Sequence, residues 1–113
     1  MEIVKKAKIS VDGKSEEVEA IIDTGAERTM VNEEILLRIG APHLDNLPIE
    51  AAGEYTGTKP VYGASVEIDG FKFTILITGG KKNLIGHDFL QLAKAMINEA
   101  TGEVKFTKNH ISY

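Results

Sequence analysis

Most of the chain consists of short segments in which apolar and polar residues alternate, separated by turns that contain glycine. An Asp-Gly pair stands between two such segments at residues 12–13 and again at residues 69–70. Alternation with a period of two predicts strands, and an intervening Asp-Gly predicts a tight turn, so we expect hairpins over residues 7–22 and 64–78. Two further hairpins are predicted, a long one with a mobile tip over residues 49–62 and a C-terminal one over residues 96–107.

Two stretches depart from the strand pattern and predict short helices. In residues 32–40, Asn32 can cap the helix, two glutamates follow in its first turn, and Gly40 can end it. A second helix is predicted from Asp88, as its cap, through Ala95. The predicted class is therefore all-β, a small closed β-barrel with one or two short helices. The remaining segments are predicted as loops at residues 41–47 and 79–82 and a short buried strand at residues 84–86.

Length and composition predict a single domain over residues 1–113. Hydrophobic residues make up 42% of the chain and charged residues 27%, which is typical of a globular protein and not of a disordered one. A run of about eighteen apolar residues is missing, so we expect no membrane partner. The first residues also lack the apolar core of a signal peptide, and the predicted location is the cytoplasm.

Charge and cysteine usage exclude several kinds of site. Cysteine is absent, so neither disulfides nor thiolate metal sites can hold the fold. His43 and His110 stand too far apart in the pattern to suggest a metal site, and we expect no metal or other cofactor. The formal net charge of −4 argues against a nucleic-acid partner, because phosphate binding needs clustered lysine and arginine.

The most informative motif is an apolar strand that runs into Asp23, Thr24 and Gly25. Such a strand holds the carboxylate at the floor of a cleft, the threonine hydroxyl can lock the turn, and the glycine lets a bound chain approach the backbone closely. Alone, the triplet could also be an ordinary polar turn, since aspartate and glycine are common turn residues. A second motif, Leu-Ile-Gly at residues 84–86 followed by a predicted helix, weighs against that interpretation.

The chemistry available to this motif is hydrolysis of a peptide bond by an activated water. One group must take a proton from the attacking water while an acid protonates the carbonyl oxygen. Two adjacent carboxyl groups can do both, because like charges in contact cannot both ionise and one proton is shared. One Asp23 cannot supply this chemistry, whereas two copies related by a two-fold axis can. The motif therefore predicts a symmetric homodimer.

With these motifs the chain resembles the retropepsins (clan AA), the single-domain homodimeric aspartic proteases of retroviruses and their cellular and prokaryotic relatives. The resemblance covers residues 7–92 and includes the Asp-Gly hairpin before the active-site strand and a glycine-bearing flap region. It implies a closed barrel and an aspartic endopeptidase that takes a peptide or protein substrate beneath two flaps. The implied site residues are Asp23, Thr24 and Gly25 for catalysis, and Ala26, Glu27, Gly53, Glu54, Tyr55, Leu84 and Ile85 for substrate binding. Apolar subsites implied at Ile22, Ile49 and Leu84 would favour hydrophobic side chains on either side of the cleaved bond.

The chain departs from the retroviral pattern at three places. His87 and Asp88 follow the second glycine where retroviral members carry Arg-Asn or Arg-Asp. His87 would then either form an ion pair with Glu27, which is weaker than the pair an arginine forms and depends on pH, or simply start the helix. The flap region around Gly53 has no glycine-rich tip. Residues 96–113 are longer than the matching region of retroviral enzymes, whose dimers interleave both termini, and we expect them to contribute to the interface.

These departures leave a second function open, in which the domain has the same fold but little or no activity and serves as a dimeric peptide- or protein-binding module. The intact Asp-Thr-Gly triplet favours the enzyme. The altered flap and His87 favour the binding module.

Overall fold

The computed structural model describes residues 2–51 and 53–107. His110 and the rest of residues 108–113 lie outside the described residues, as does residue 52 in the predicted flap. The described chain consists mainly of strands with two short helices, which confirms the all-β class. In chain order the elements are β1 Val4–Val11, β2 Lys14–Ile22, β3 Met30–Asn32, α1 Glu33–Arg38, β4 His43–Ala51, β5 Glu54–Ile68, β6 Phe71–Gly80, β7 Leu84–Ile85, α2 His87–Leu92, β8 Met96–Asn98 and β9 Glu103–Lys105.

Seven of the strands form one sheet in the order β1, β2, β7, β3, β6, β5, β4. β1 also pairs with β5, where Ile9 lies opposite Val66, so the sheet closes into a ring and β4 is attached to its outside. Closure removes the exposed edges that an open sheet would have along these strands. The expectation of a closed sheet is therefore confirmed, while β8 and β9 form a separate antiparallel hairpin.

Both Asp-Gly hairpin turns form as predicted. Asp12 and Gly13 have φ angles of 46° and 84°, and Asp69 and Gly70 have φ angles of 51° and 84°. Positive φ at both central residues is the geometry of a type I′ turn, which aspartate tolerates and glycine adopts without strain. The two turns thereby set the registers of the β1–β2 and β5–β6 hairpins.

The structure corrects two predicted loops. Most of residues 41–47 is strand, because β4 begins at His43 and pairs with the first half of β5, which runs without a break into the predicted second hairpin. Gly79 and Gly80 also belong to a strand, β6, where they pair in parallel with β3. A Cβ on Gly80 would lie 2.5 Å from the Met30 sulfur, so a larger residue there would require the Met30 side chain to move.

The helix α1 begins as predicted and is fixed against β5. Asn32 caps it by accepting a hydrogen bond from the Glu34 N–H at 3.0 Å, and Gly40, with a φ of 73°, follows its last turn. The hydroxyl of buried Tyr62 donates to Glu33 at 2.7 Å, and this bond together with burial raises the pKa of Tyr62. Each of the two helices has six residues, and within the described part of the chain no helix is long and apolar enough to cross a membrane.

The core combines the ring strands with both helices. Leu36 of α1, Ile85 of β7 and Phe89 of α2 have no exposed surface. Phe89 packs edge-on against Phe73 of β6 and against Phe106, which follows β9, with ring centroids 5.5 and 5.9 Å apart. Burying one such side chain contributes about 1.5–3 kcal/mol. The core therefore holds β7 and α2 firmly, and these two elements support the candidate site.

Candidate active site

Asp23 lies directly after β2, in a turn that backbone hydrogen bonds fix. β2 pairs in parallel with β7, and the Asp23 N–H donates to the Ile85 carbonyl at 2.9 Å. Asp23 Oδ1 accepts from the Gly25 N–H at 2.9 Å, and the Asp23 carbonyl accepts from the Ala26 N–H at 3.2 Å. Asp23 is half-buried, whereas Thr24 and Gly25 are exposed. One carboxylate is thus held in a defined orientation beside two residues that another chain can reach.

Gly86 brings the second motif against the segment that follows this turn. The two N–H groups after Gly86 donate to the carbonyls of Ala26 and Glu27 at 2.7 and 3.2 Å. A Cβ on Gly86 would lie 2.5 Å from the Arg28 carbonyl carbon. Its φ of −95° is open to any residue, so glycine is required here by lack of space and not by backbone conformation. The two motifs of the sequence are therefore in direct backbone contact.

A buried threonine and a carboxylate lock the two motifs together. Thr29 has no exposed surface, and its hydroxyl donates to Asp88 Oδ1 at 2.7 Å while accepting from the Gly86 N–H at 3.1 Å. The Thr29 N–H donates to both Asp88 carboxylate oxygens at 3.1 and 3.0 Å, and the Phe89 N–H donates to Oδ1 at 2.7 Å. These donors compensate the partial loss of water around the carboxylate. The pair joins the segment after Asp23 to α2.

The role predicted for Asp88 as a helix cap is wrong. The residue before α2 is Gly86, no side chain caps the helix, and Asp88 instead bonds across to the other motif. The helix also does not extend through Ala95, since it ends at Leu92 and Lys94 has a φ of 48°. Sequence reasoning missed Thr29, because a single buried threonine in a connecting segment leaves no periodic pattern.

His87 lies at the start of α2, where its N–H takes part in the backbone contact already described. Within the described part of the chain, the His87 and Glu27 side chains form neither a hydrogen bond nor an ion pair with each other. The pair considered from the sequence is therefore not formed within one chain. The same residues contain no group of three or more histidine, aspartate or glutamate side chains that could hold a metal ion.

The isosteric change Thr29→Val is expected to lower the free energy of unfolding by about 1–3 kcal/mol, because it leaves a buried N–H of Gly86 without an acceptor. Thr29→Ser keeps the hydroxyl and is the matched control, with most of the stability retained. Urea unfolding followed by circular dichroism measures both variants. Stability that is kept by the valine variant and lost by the serine variant would show that the methyl group, not the hydroxyl, matters at this position.

Two of the cavities beside the active-site turn are lined in part by carboxylates. The first has a volume of about 320 Å³ and is lined by Ile3, Ile22, Asp23, Thr24, Ile97 and Glu99. The second has a volume of about 430 Å³ and is lined by Glu27, Arg28, Ile75, Leu76 and Asp88. Leu76 is 50% exposed, so the second cavity offers apolar surface next to charged groups at the end of the turn. Such a mixture can accept an amphipathic stretch of peptide.

The structure places the other predicted substrate-binding residues in different surroundings. Gly53 and Glu54 are exposed at the turn of the β4–β5 hairpin, and Tyr55 follows in β5. Neither Gly53 nor Glu54 lines the two cavities at the turn. Leu84 is half-buried, while Ile85 has no exposed surface and contacts the turn through its backbone carbonyl.

A closed, mainly β structure in which an Asp-Thr-Gly turn is bonded to a hydrophobic-hydrophobic-Gly strand defines the retropepsin-like class of aspartyl proteases. A model of one family, described as "gag-polyprotein putative aspartyl protease", matches residues 7–92. The match covers most of the chain, and the protein belongs to this retropepsin-like family, as the sequence motifs predicted. A comparison with curated proteins found no match.

Proposed function

We propose that the protein is a homodimeric aspartic endopeptidase in which the Asp23 carboxylates of two chains activate one water. The observation that carries this proposal is the single Asp-Thr-Gly turn, which the second motif supports through the Ile85 carbonyl while Thr24 and Gly25 stay exposed. Each chain supplies one such carboxylate, and the reaction needs two within reach of the same water. Membership of an aspartyl protease family supports this chemistry.

In the proposed reaction the two Asp23 carboxyl groups share one proton. The ionised group takes a proton from water as the water oxygen attacks the carbonyl carbon of the peptide bond. The protonated group gives its proton to the carbonyl oxygen, which produces a tetrahedral diol. Transfer of a proton to the amide nitrogen then breaks the C–N bond and releases an amine and a carboxylic acid. The hydrogen bond from the Gly25 N–H orients each carboxylate for these transfers.

We propose that an extended peptide binds across the turn, with its backbone paired to Gly25 and to the β4–β5 hairpin, which acts as a flap. Of the three residues expected to form apolar subsites, Ile22 is only 8% exposed, whereas Ile49 and Leu84 are half-buried. The preference for hydrophobic side chains therefore rests on Ile49, Leu84 and the exposed Leu76. The predicted cytoplasmic location stays a prediction, which cell fractionation with an antibody to the chain would check.

Incubation with a diverse peptide mixture at several pH values tests the function, with and without an inhibitor that mimics the tetrahedral diol. The enzyme is expected to cleave a subset of peptides next to hydrophobic residues, and the inhibitor is expected to prevent cleavage. Binding of the inhibitor without any cleavage would instead favour the dimeric peptide-binding module. Cleavage that the inhibitor does not affect would contradict an aspartic mechanism.

Specific activity is expected to fall when the protein is diluted below its dimer dissociation constant, because each chain then lacks the second carboxylate. Thr24→Ala should raise that constant about tenfold if each Thr24 hydroxyl bonds to the opposite turn, since the change removes two symmetric hydrogen bonds. Ser15→Ala on the exposed side of β2 is the control. Sedimentation velocity and activity over the same dilution series measure the effect, and a fully active monomer would contradict it.

A further inference from the structure

The larger of the two cavities described beside the active-site turn combines aliphatic and charged surface. Its volume is about 430 Å³, and two residues of β6, Ile75 and Leu76, line it together with Glu27, Arg28 and Asp88. Two carboxylates and one guanidinium give this lining an excess of negative charge. The cavity therefore offers both an apolar contact and an electrostatic one.

The Asp88 carboxylate is a fixed negative charge in this lining. Its Oδ1 accepts hydrogen bonds from the Thr29 hydroxyl and from the Thr29 and Phe89 N–H groups. Among the described residues its Oδ2 accepts only from the Thr29 N–H, at 3.0 Å. A carboxylate oxygen can accept about two hydrogen bonds, so Oδ2 keeps one position for a further donor. Asp88 is thus held in place and can still bind a cation.

Glu27 and Arg28 are exposed at the same cavity. The ion pairs within residues 2–51 and 53–107 involve neither of them. The arginine side chain is long and keeps its charged group in water when it extends outward. Glu27 is shorter, and its backbone carbonyl is bound by the Asp88 N–H at 3.2 Å. The positive charge can therefore move away from the cavity, whereas the negative charge of Asp88 stays.

We propose that this cavity is a subsite for a lysine or arginine side chain of the peptide substrate, at a position away from the cleaved bond. The inference rests on the proposed function, which lays an extended peptide across the Asp23 turn. The methylene stem of such a side chain packs on Leu76, which is 50% exposed. Its cationic group lies near Glu27 and Asp88, which attract it.

Two-fold symmetry determines where in the substrate this preference occurs. A dimer contains the cavity twice, once on each side of the two Asp23 residues. Asp23 is not among the residues that line the cavity, so the side chains next to the cleaved bond do not enter it. Lysine or arginine is therefore expected to be preferred at one position on each side of the bond, and at neither residue that flanks it.

Matched peptides test the charge preference. In a peptide that the enzyme cleaves, each position other than the two flanking the bond is changed in turn to lysine, glutamine or glutamate. At one position on each side, kcat/KM is expected to be about tenfold higher for lysine than for glutamate, because the same carboxylates attract one and repel the other. Added sodium chloride should reduce this ratio, since salt screens exposed charges. Equal values at every position, or a preference for glutamate, would overturn the proposal.

Variants of the two exposed charged residues are expected to change the ratio in opposite directions. Glu27→Gln should lower the preference for lysine about threefold, because only Asp88 then attracts the cation, and Arg28→Gln should raise it. Glu19→Gln removes an exposed carboxylate from β2 and is the control, with an unchanged ratio. A ratio that Glu27→Gln leaves unchanged, or that Glu19→Gln lowers equally, would overturn the subsite.

Peptide binding separates the subsite from the proposed function. Fluorescence anisotropy with labelled lysine and glutamate peptides gives dissociation constants for Asp23→Asn protein, which is expected to bind without cleaving. Tenfold tighter binding of the lysine peptide, in a protein whose unaltered form cleaves nothing, would support the subsite and overturn the endopeptidase. Cleavage without any preference for lysine would overturn the subsite and leave the two-carboxylate site standing.

Discussion

Asp23→Asn is expected to reduce kcat/KM by about 10⁴-fold, the upper end of what general acid–base groups contribute, while the fold and the dimer are retained. The asparagine side chain has the same shape, and its carbonyl oxygen can still accept from the Gly25 N–H. It can neither take a proton from water nor share one with its copy. Peptide cleavage measured at a protein concentration that keeps the dimer assembled checks the prediction.

The matched control for this change is Asp12→Asn. Asp12 is exposed in the β1–β2 turn with a φ of 46°, a conformation that asparagine adopts readily. The activity of the Asp12→Asn variant is expected to equal that of the unaltered protein. Purified Asp23→Asn protein that cleaves peptides at a similar rate would rule out Asp23 as the catalytic group.

Gly86→Ala is expected to lower the free energy of unfolding by about 3 kcal/mol, at the upper end of the cost of forcing extra volume into a packed site. The added methyl group would lie 2.5 Å from the Arg28 carbonyl carbon, and backbone cannot move aside as a flexible side chain can. Relief of the clash pushes α2 away from the segment that carries Asp23. We therefore expect the variant to lose most of its activity as well as stability, measured by urea unfolding and by peptide cleavage.

Gly63→Ala provides the control for the added methyl group. Its Cβ would lie 3.1 Å from Cδ1 of Leu44, and Leu44 is 55% exposed and can turn away. A change in unfolding free energy within about 0.5 kcal/mol is expected there. If Gly86→Ala proved as stable and as active as Gly63→Ala, the close packing of the two motifs would not be what positions Asp23.

Local chemistry made several parts of the structure predictable. The two Asp-Gly turns need positive φ at consecutive residues, and few residue pairs suit that geometry. Asn32 is a strong capping residue followed by two glutamates, so the start of α1 could be placed correctly. The Asp-Thr-Gly and Leu-Ile-Gly motifs likewise pointed to the two segments that the structure brings into contact.

Features that depend on distant partners were not predictable in the same way. Asp88 looked like a helix cap because aspartate often is one, yet its partner is Thr29, 59 residues earlier in the chain. Gly79 and Gly80 looked like a loop, but they pair with β3, and the side chains of Tyr62 and Met30 lie against them. In each instance the competing interaction comes from a part of the chain that pattern analysis treats as independent.

The central claim is that one active site uses one Asp23 from each of two chains, and subunit mixing tests it most directly. Unaltered protein, held at a fixed concentration above the dimer dissociation constant, is equilibrated with an equal amount of Asp23→Asn protein. Activity is expected to fall to about half, because random pairing leaves only half of the unaltered chains with an unaltered partner. With a large excess of the variant, activity should approach zero. Activity that stays constant throughout the mixing series, in a protein shown to exchange subunits, would contradict the two-chain site.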